Sequence, residues 1–136
     1  MSGETDLQKL LTGLQPHLHD GEYVFVTVAE TFEFDRQEVI CMFRESEGTT
    51  LVLPKAKADA LELSYDFVSA WITLQVHSSL QAVGLTARVS TALAKQRISC
   101  NVIAAYHHDH IFVDVKDAGL AMQVLTALTG SNRDEC

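Results

Sequence analysis

The sequence predicts an α+β fold in which short antiparallel strands are covered by helices. Strand-like segments and amphipathic helices alternate along the 136 residues. A hairpin followed by a helix occurs twice, at 39–62 and at 99–122, about 60 residues apart. Hairpins mixed with helices that pack on them favour α+β architecture over a doubly wound parallel sheet.

The chain is predicted to begin with a short helix. The segment Thr5-Asp6-Leu7-Gln8 has the capping-box pattern. Leucines then follow at i, i+3, i+4 and i+7, which gives one apolar face: Leu7, Leu10, Leu11 and Leu14. Gly13 and Pro16 are expected to end this helix.

The rest of the first half is predicted to be mainly β. Segments rich in β-branched and aromatic residues predict strands at 23–29, 39–43 and 50–53. Glu47-Gly48 provides the turn between the last two. Pro54 is well placed to open a short helix that runs to about Glu62.

The second half is predicted to contain two more helices and three strands. A strand at 67–76 precedes a helix that starts at Gly84, and its apolar face is Leu85, Val89, Ala92 and Leu93. Strands at 98–105 and 111–113 are joined by a turn at 107–109. Asp117 is expected to cap a last helix, whose buried face is Ala118, Ala121, Met122, Leu125 and Leu128. Residues 130–136 read as a polar tail.

Composition narrows the classes of function. The net charge is −8, from 18 acidic and 10 basic residues, which disfavours binding to nucleic acids and to anionic membranes. No apolar run reaches the roughly 20 residues that cross a bilayer. The acidic, polar N-terminus does not resemble a signal peptide. The three cysteines are far apart and odd in number, so we expect a reduced, cytoplasmic protein.

The turn Val83-Gly84-Leu85-Thr86 is the leading candidate binding site. The backbone N–H groups of Leu85 and Thr86 are expected to face outward from a helix start, where they can hold a small anionic group. Gly84 leaves room for a close approach. The alternative is that Gly84 serves only a tight turn between strand and helix.

Other polar clusters give weaker indications of chemistry. His77, Ser78 and Ser79 lead into the glycine turn, and their side chains are expected to contact a ligand or cap the loop. No G-x-S-x-G elbow supports a catalytic serine there. His107, His108 and His110 lie near a hairpin turn without an evident completing ligand, so no metal is expected. No acid–base or nucleophile set stands out, so we expect neither enzymatic activity nor a cofactor.

The segment from Phe67 to Leu128 resembles the ACT domain, a ferredoxin-like module that binds amino acids and regulates metabolic enzymes. Gly84 and Leu85 match the turn before the first helix of that family, with Val83 in place of the usual proline. In the second strand Ile98, Asn101 and Val102 match, although Ser99 and Cys100 are inserted between the first two.

The resemblance implies two ferredoxin-like, ACT-like halves with antiparallel sheets packed by helices. We divide the chain into an N-terminal half at 1–65, a C-terminal domain at 66–130 and the polar tail. The expected function is that of a regulatory sensor for an amino acid or similar metabolite, and the alternative is a dimerisation or docking module. Ligand-binding residues would be His77, Ser78, Val83, Gly84, Leu85, Thr86, Asn101 and Val102. Asn101, expected to be buried, would lie near the ligand's amino group. A homodimer or higher homo-oligomer is expected.

Overall fold

The structure, a computed structural model, describes residues 6–76 and 84–134. Within these ranges it contains four α-helices and seven strands. The helices are α1 (Leu7–Gly13), α2 (Lys55–Ala60), α3 (Leu85–Lys95) and α4 (Ala118–Asp134). The strands are β1 (Gln15–Leu18), β2 (Tyr23–Val28), β3 (Cys41–Arg44), β4 (Thr49–Pro54), β5 (Val68–Gln75), β6 (Asn101–Ala104) and β7 (Asp109–Asp114).

The chain divides into two compact units. One is a single segment, Asp20–Ala70, which we call the continuous unit. The other combines Met1–His19 with Trp71–Cys136, and we call it the composite unit. The first three residues of β5 belong to the continuous unit and the remainder to the composite unit. The two units give the antiparallel α+β architecture that was predicted.

The continuous unit has the strand order β3–β4–β2–β5. β2 pairs antiparallel with β4 from Tyr23↔Pro54 to Val28↔Thr49, and β3 pairs with the other edge of β4. The short helix α2 packs on β2 and β4. Its core consists of small and branched apolar side chains: Val24, Val26, Val28, Leu51, Leu53 and Ala58.

No α-helix connects β2 to β3 in the continuous unit. The connection instead contains a 3₁₀ turn at Arg36–Glu38, whose Gln37 backbone N–H donates to the Asp35 carboxylate at 2.9 Å. Phe32, Phe34 and Val39 pack against the core from this connection. Their spacing does not follow the 3.6-residue period of a helix, so they cover the sheet as an irregular segment.

The composite unit has the strand order β1–β5–β7–β6. β1 pairs antiparallel with the second part of β5, from Gln15↔Gln75 to Leu18↔Ile72. Its helices α1, α3 and α4 contact one another. Its buried apolar residues come from these helices and from β5 and β7, and include Leu11, Ile72, Leu93, Ile111 and Leu125.

The N-terminal residues therefore complete the second half of the protein. The sequence-based division at residue 65 groups α1 and β1 with the first half, but in the structure they pack with α3, α4 and β5. The sequence does not predict the strand β1, because Pro16 indicates only the end of a helix. Proline lacks a backbone donor but is tolerated in a strand that pairs along one side.

Several predicted boundaries shift in the structure. Asp117 ends a 3₁₀ turn, Val115–Asp117, rather than capping α4, and Asp114 caps that turn through the Lys116 N–H at 3.1 Å. The α4 helix continues to Asp134 through most of the segment predicted as a tail. The hairpin connection spans residues 105–108 rather than 107–109, so that Asp109 is the first residue of β7.

Candidate functional site

The start of α3 presents backbone donors at the predicted turn. The Gly84 carbonyl accepts from the Arg88 N–H at 2.9 Å, which is the first bond of the helix. Gly84, the N-cap residue, has no side chain, and among the described residues no side chain caps this end. The N–H groups of the first helical turn, from Leu85 to Ala87, precede that bond and have no acceptor within the helix. They carry the positive end of the helix dipole, which favours an anionic group.

Gly84 has a conformational reason to be glycine. Its φ of 102° and ψ of −19° lie in the left-handed region, which side chains with a Cβ rarely adopt. A Cβ at this position would lie 3.4 Å from Leu7 Cδ2 of α1. The tight turn proposed as the alternative role of Gly84 is therefore present, together with the open helix end.

Thr86 and Asp109 are brought together at this helix end. Leu85 is buried, so its side chain belongs to the core and only its backbone faces the turn. Thr86 is exposed, and its hydroxyl makes a long hydrogen bond of 3.5 Å to Oδ2 of Asp109. Asp109 was not among the predicted site residues. Its position depends on the β6–β7 register, which places it opposite Ala104 and beside α3.

Asn101 and Val102 lie farther along the same hairpin. Asn101 is exposed, contrary to the expectation of a buried amide, because it opens the edge strand β6. Its Nδ2 donates to the Phe112 carbonyl at 3.2 Å. Val102 is half-buried and lies opposite Ile111. Three residue steps, about 10 Å of strand, separate Asn101 from the Ala104–Asp109 pair beside Thr86.

Three of the predicted ligand residues, His77, Ser78 and Val83, lie outside the described residues. The described part of the candidate site is therefore the first turn of α3 and the start of β7. Asn101 and Val102 lie on the same unit but away from that turn.

The described residues contain no group of three or more histidines, cysteines or carboxylates arranged to hold a metal ion. His107 and His108 lie in the β6–β7 turn and His110 on β7. The expected absence of a metal stays a prediction. Burial raises the pKa of the Cys41 thiol and raises that of Cys100 to about 11, which makes both thiols poor nucleophiles at neutral pH.

None of the helices in the described ranges is long and apolar enough to cross a bilayer.

Comparison with known proteins places both halves in one family. One ACT domain profile matches residues 2–70, and a second ACT domain profile matches residues 67–127. The comparison with curated proteins gave no match.

Solved structures show the same fold. A protein of unknown function from Vibrio cholerae, described as a possible transport protein, is 44% identical with a TM-score of 0.79, over 90% of this chain and 95% of that one. An Agrobacterium tumefaciens protein is 13% identical with a TM-score of 0.71, over 85% and 89%. The Clostridium acetobutylicum aspartate kinase, described as an allosteric enzyme, is 11% identical with a TM-score of 0.61, over 88% of this chain and 34% of that one. With two matching profiles that together cover residues 2–127, the chain belongs to the ACT domain family.

Proposed function

We propose that this protein is a regulatory sensor that binds a free amino acid at the start of α3. The observation that carries the proposal is the placement of the Asp109 carboxylate beside a helix N-terminus that no described side chain caps, 3.5 Å from the Thr86 hydroxyl. The backbone N–H groups of the first turn would hold the ligand carboxylate. Asp109 would accept from its ammonium group.

The helix N–H groups and the Asp109 carboxylate together favour a zwitterion over a ligand that carries only a carboxylate or only an amine. A simple carboxylate would meet the helix donors but also the repulsion of Asp109. A simple amine would meet Asp109 but not the helix donors, whose dipole repels it. An α-amino acid carries both groups within reach of each other and satisfies both partners. Asn101 would be reached only by a ligand with a long side chain.

Family membership supports a ligand-binding regulatory role. ACT-type neighbours include the aspartate kinase described as allosteric. In the described residues the helix that creates this site occurs in the composite unit alone, because the continuous unit has an irregular segment between β2 and β3. We therefore propose that the composite unit senses the ligand.

A thermal-shift screen of the twenty amino acids tests the proposal. We expect at least one amino acid to raise the melting temperature, since a ligand that binds only the folded state stabilises it by mass action. Its deaminated acid and its decarboxylated amine are the matched ligands, and neither should shift the melting temperature at the same concentration. No response to any amino acid would contradict the proposal.

Asp109→Asn should weaken binding of that amino acid. The variant keeps the shape of the side chain and removes its charge, so a charge-assisted hydrogen bond of about 1.5–3 kcal/mol is lost and Kd rises roughly 10–100-fold. Calorimetric titration measures the change. Glu47→Gln, an exposed carboxylate in the β3–β4 turn, is the control and should leave Kd unchanged. The deaminated acid should bind Asp109→Asn better than the wild type.

A second candidate function is self-association through the edge strand β3. Three large apolar residues lie exposed in and beside this strand: Ile40 at 37%, Met42 at 48% and Phe43 at 67%. β3 pairs with β4 on one side and ends the strand order of the continuous unit. Exposed apolar side chains on a strand edge favour pairing with another strand. We propose that a second copy covers this edge.

Phe43→Lys should weaken that association. The charge replaces the most exposed apolar side chain of β3, and lysine on a strand edge opposes pairing. Light scattering across a range of protein concentrations measures the effect as a shift from dimer to monomer. Tyr106→Lys is the control, because Tyr106 is 79% exposed in the turn of the composite unit. Equal loss of dimer in both variants would argue against β3 as the interface.

A further inference from the structure

A hydrogen-bonded network joins three strands of the composite unit. Trp71 Nε1 on β5 donates to His110 Nδ1 on β7 at 3.1 Å. The Thr73 hydroxyl lies 3.0 Å from the same nitrogen and 2.7 Å from Nε2 of His19, the residue after β1. The His19 ring stacks on the Trp71 indole with centroids 3.6 Å apart. The network thus connects β1 to β7 across β5.

The donors and acceptors fix the protonation state of His110. An indole N–H only donates, so His110 Nδ1 must accept and the ring proton must lie on Nε2. The Thr73 hydroxyl lies between this nitrogen and His19 Nε2, and the direction of its bonds depends on the His19 tautomer. The Trp71–His110 bond by itself requires that Nδ1 carry no proton and hence that His110 be neutral.

Protonation of His110 breaks this arrangement. An N–H at Nδ1 would face the indole N–H, 3.1 Å away from nitrogen to nitrogen. The Thr73 oxygen can accept from the new N–H, but the Trp71–His110 bond is lost in every pattern. Thr73 is only 4% exposed and Trp71 and His110 are half-buried, so the network is partly shielded from water.

The ionisable groups around the network are mainly histidines. In the described residues they are His17, which contacts His19 edge-on at 4.6 Å between centroids, His107 and His108 in the turn, and Asp109. β5 and β6 contain no ionisable residue. Burial lowers the pKa of His110, His108 lowers it further, and the Asp109 carboxylate acts in the opposite direction.

The lowered pKa of His110 determines the pH range over which the network stabilises the fold. Because folding lowers the pKa of His110, the unfolded or opened state binds the proton more tightly. The stabilisation by the network is fully present above the ordinary histidine pKa of about 6.5, and it is lost as the pH falls through the lowered pKa of His110.

We propose that Trp71, Thr73, His110 and His19 form a proton-sensitive latch that fastens β1 to β5 and β7, closed while His110 is neutral and opened by its protonation. The latch stands at the end of β1, where the His19 N–H also donates to the Trp71 carbonyl at 2.9 Å. β1 is only four residues long and also contacts α4, and the side-chain network adds to its short ladder with β5. Mildly acidic pH is thereby an input that the composite unit registers, at a residue adjacent to the Asp109 carboxylate of the ligand turn.

Hydrogen exchange of the β1 amides tests the latch. Exchange is measured at about pH 8 and about pH 5 and corrected for the intrinsic pH dependence of amide exchange. Protection of the His17 and His19 amides, which alternate with Leu18 in pointing toward β5, should fall about tenfold for each unit by which folding lowers the His110 pKa. The indole N–H of Trp71, the one tryptophan in the chain, should lose protection with them.

Three variants distinguish the effect of protonating His110 from the effects of protonating other groups. His110→Asn places an amide oxygen near the Nδ1 position and takes up no proton, so β1 protection should no longer depend on pH. His107→Asn, in the adjacent turn, should behave as the wild type. Thr73→Val should show low β1 protection already at about pH 8. The latch is refuted if wild-type protection is the same at both pH values, if His110→Asn loses as much protection as wild type, or if the α4 amides open in parallel with β1.

Discussion

Leu11→Ala is expected to lower the free energy of unfolding of the composite unit by about 2–5 kcal/mol, the usual effect of removing a fully buried leucine side chain. Leu11 lies on α1 and is 0% exposed. Its helix packs on α3 and α4, which are formed by the other end of the chain. Urea unfolding followed by the fluorescence of Trp71 measures the change within this unit.

Leu120→Ala is the matched control for Leu11→Ala. Leu120 lies on α4 and is 41% exposed, so its truncation should change the unfolding free energy by less than about 1 kcal/mol. Similar small effects in both variants would show that α1 does not belong to the core of the composite unit. The organisation of a unit from both ends of the chain would then be wrong.

Gly84→Val should destabilise the composite unit by about 1–3 kcal/mol and abolish the response to the amino acid. A β-branched residue is strained at the φ of 102°, while its Cβ, 3.4 Å from Leu7 Cδ2, would make an ordinary van der Waals contact with α1. The turn that directs the first N–H groups of α3 would shift with the backbone. Sequence reasoning alone predicts loss of the ligand response with the fold mostly intact, and the structure adds the cost to stability.

Gly119→Val separates the role of the turn from a general effect of replacing glycine. Gly119 lies in the first turn of α4, and a Cβ there would meet nothing within 4 Å. Valine has a slightly better helix propensity than glycine, so the stability should change by only a few tenths of a kcal/mol. Thermal unfolding with and without the amino acid gives both readouts. A normal ligand response in Gly84→Val would remove the turn from the binding site.

The sequence predicts elements better than it predicts how they assemble. The strands at 23–28 and 49–54 and the helix from residue 85 follow from local composition and periodicity. The strand β1 does not, because four residues that include Pro16 carry little strand signal. Its place beside β5 is set by the contacts of α1 with α3 and α4, which link residues far apart in the chain.

The residues of the candidate site are likewise only partly predictable from the sequence. Gly84 is conspicuous in the sequence because a glycine directly precedes an amphipathic helix. Asp109 is not, because it is one of several polar residues around a hairpin. Only the pairing of Asp109 with Ala104 and its contact with Thr86 show that its carboxylate lies at the helix start. Asn101 was selected from the family pattern, and the register places it about 10 Å along the strand from that contact.

The most direct test of the proposed function is a nuclear magnetic resonance titration of the ¹⁵N-labelled protein. The titrant is the amino acid that gives the largest thermal shift. We expect the backbone amides of Leu85, Thr86, Ala87 and Asp109 to shift together with one saturating dissociation constant. Shifts confined to the amides of β6 or to the continuous unit, with the start of α3 unchanged, would contradict it.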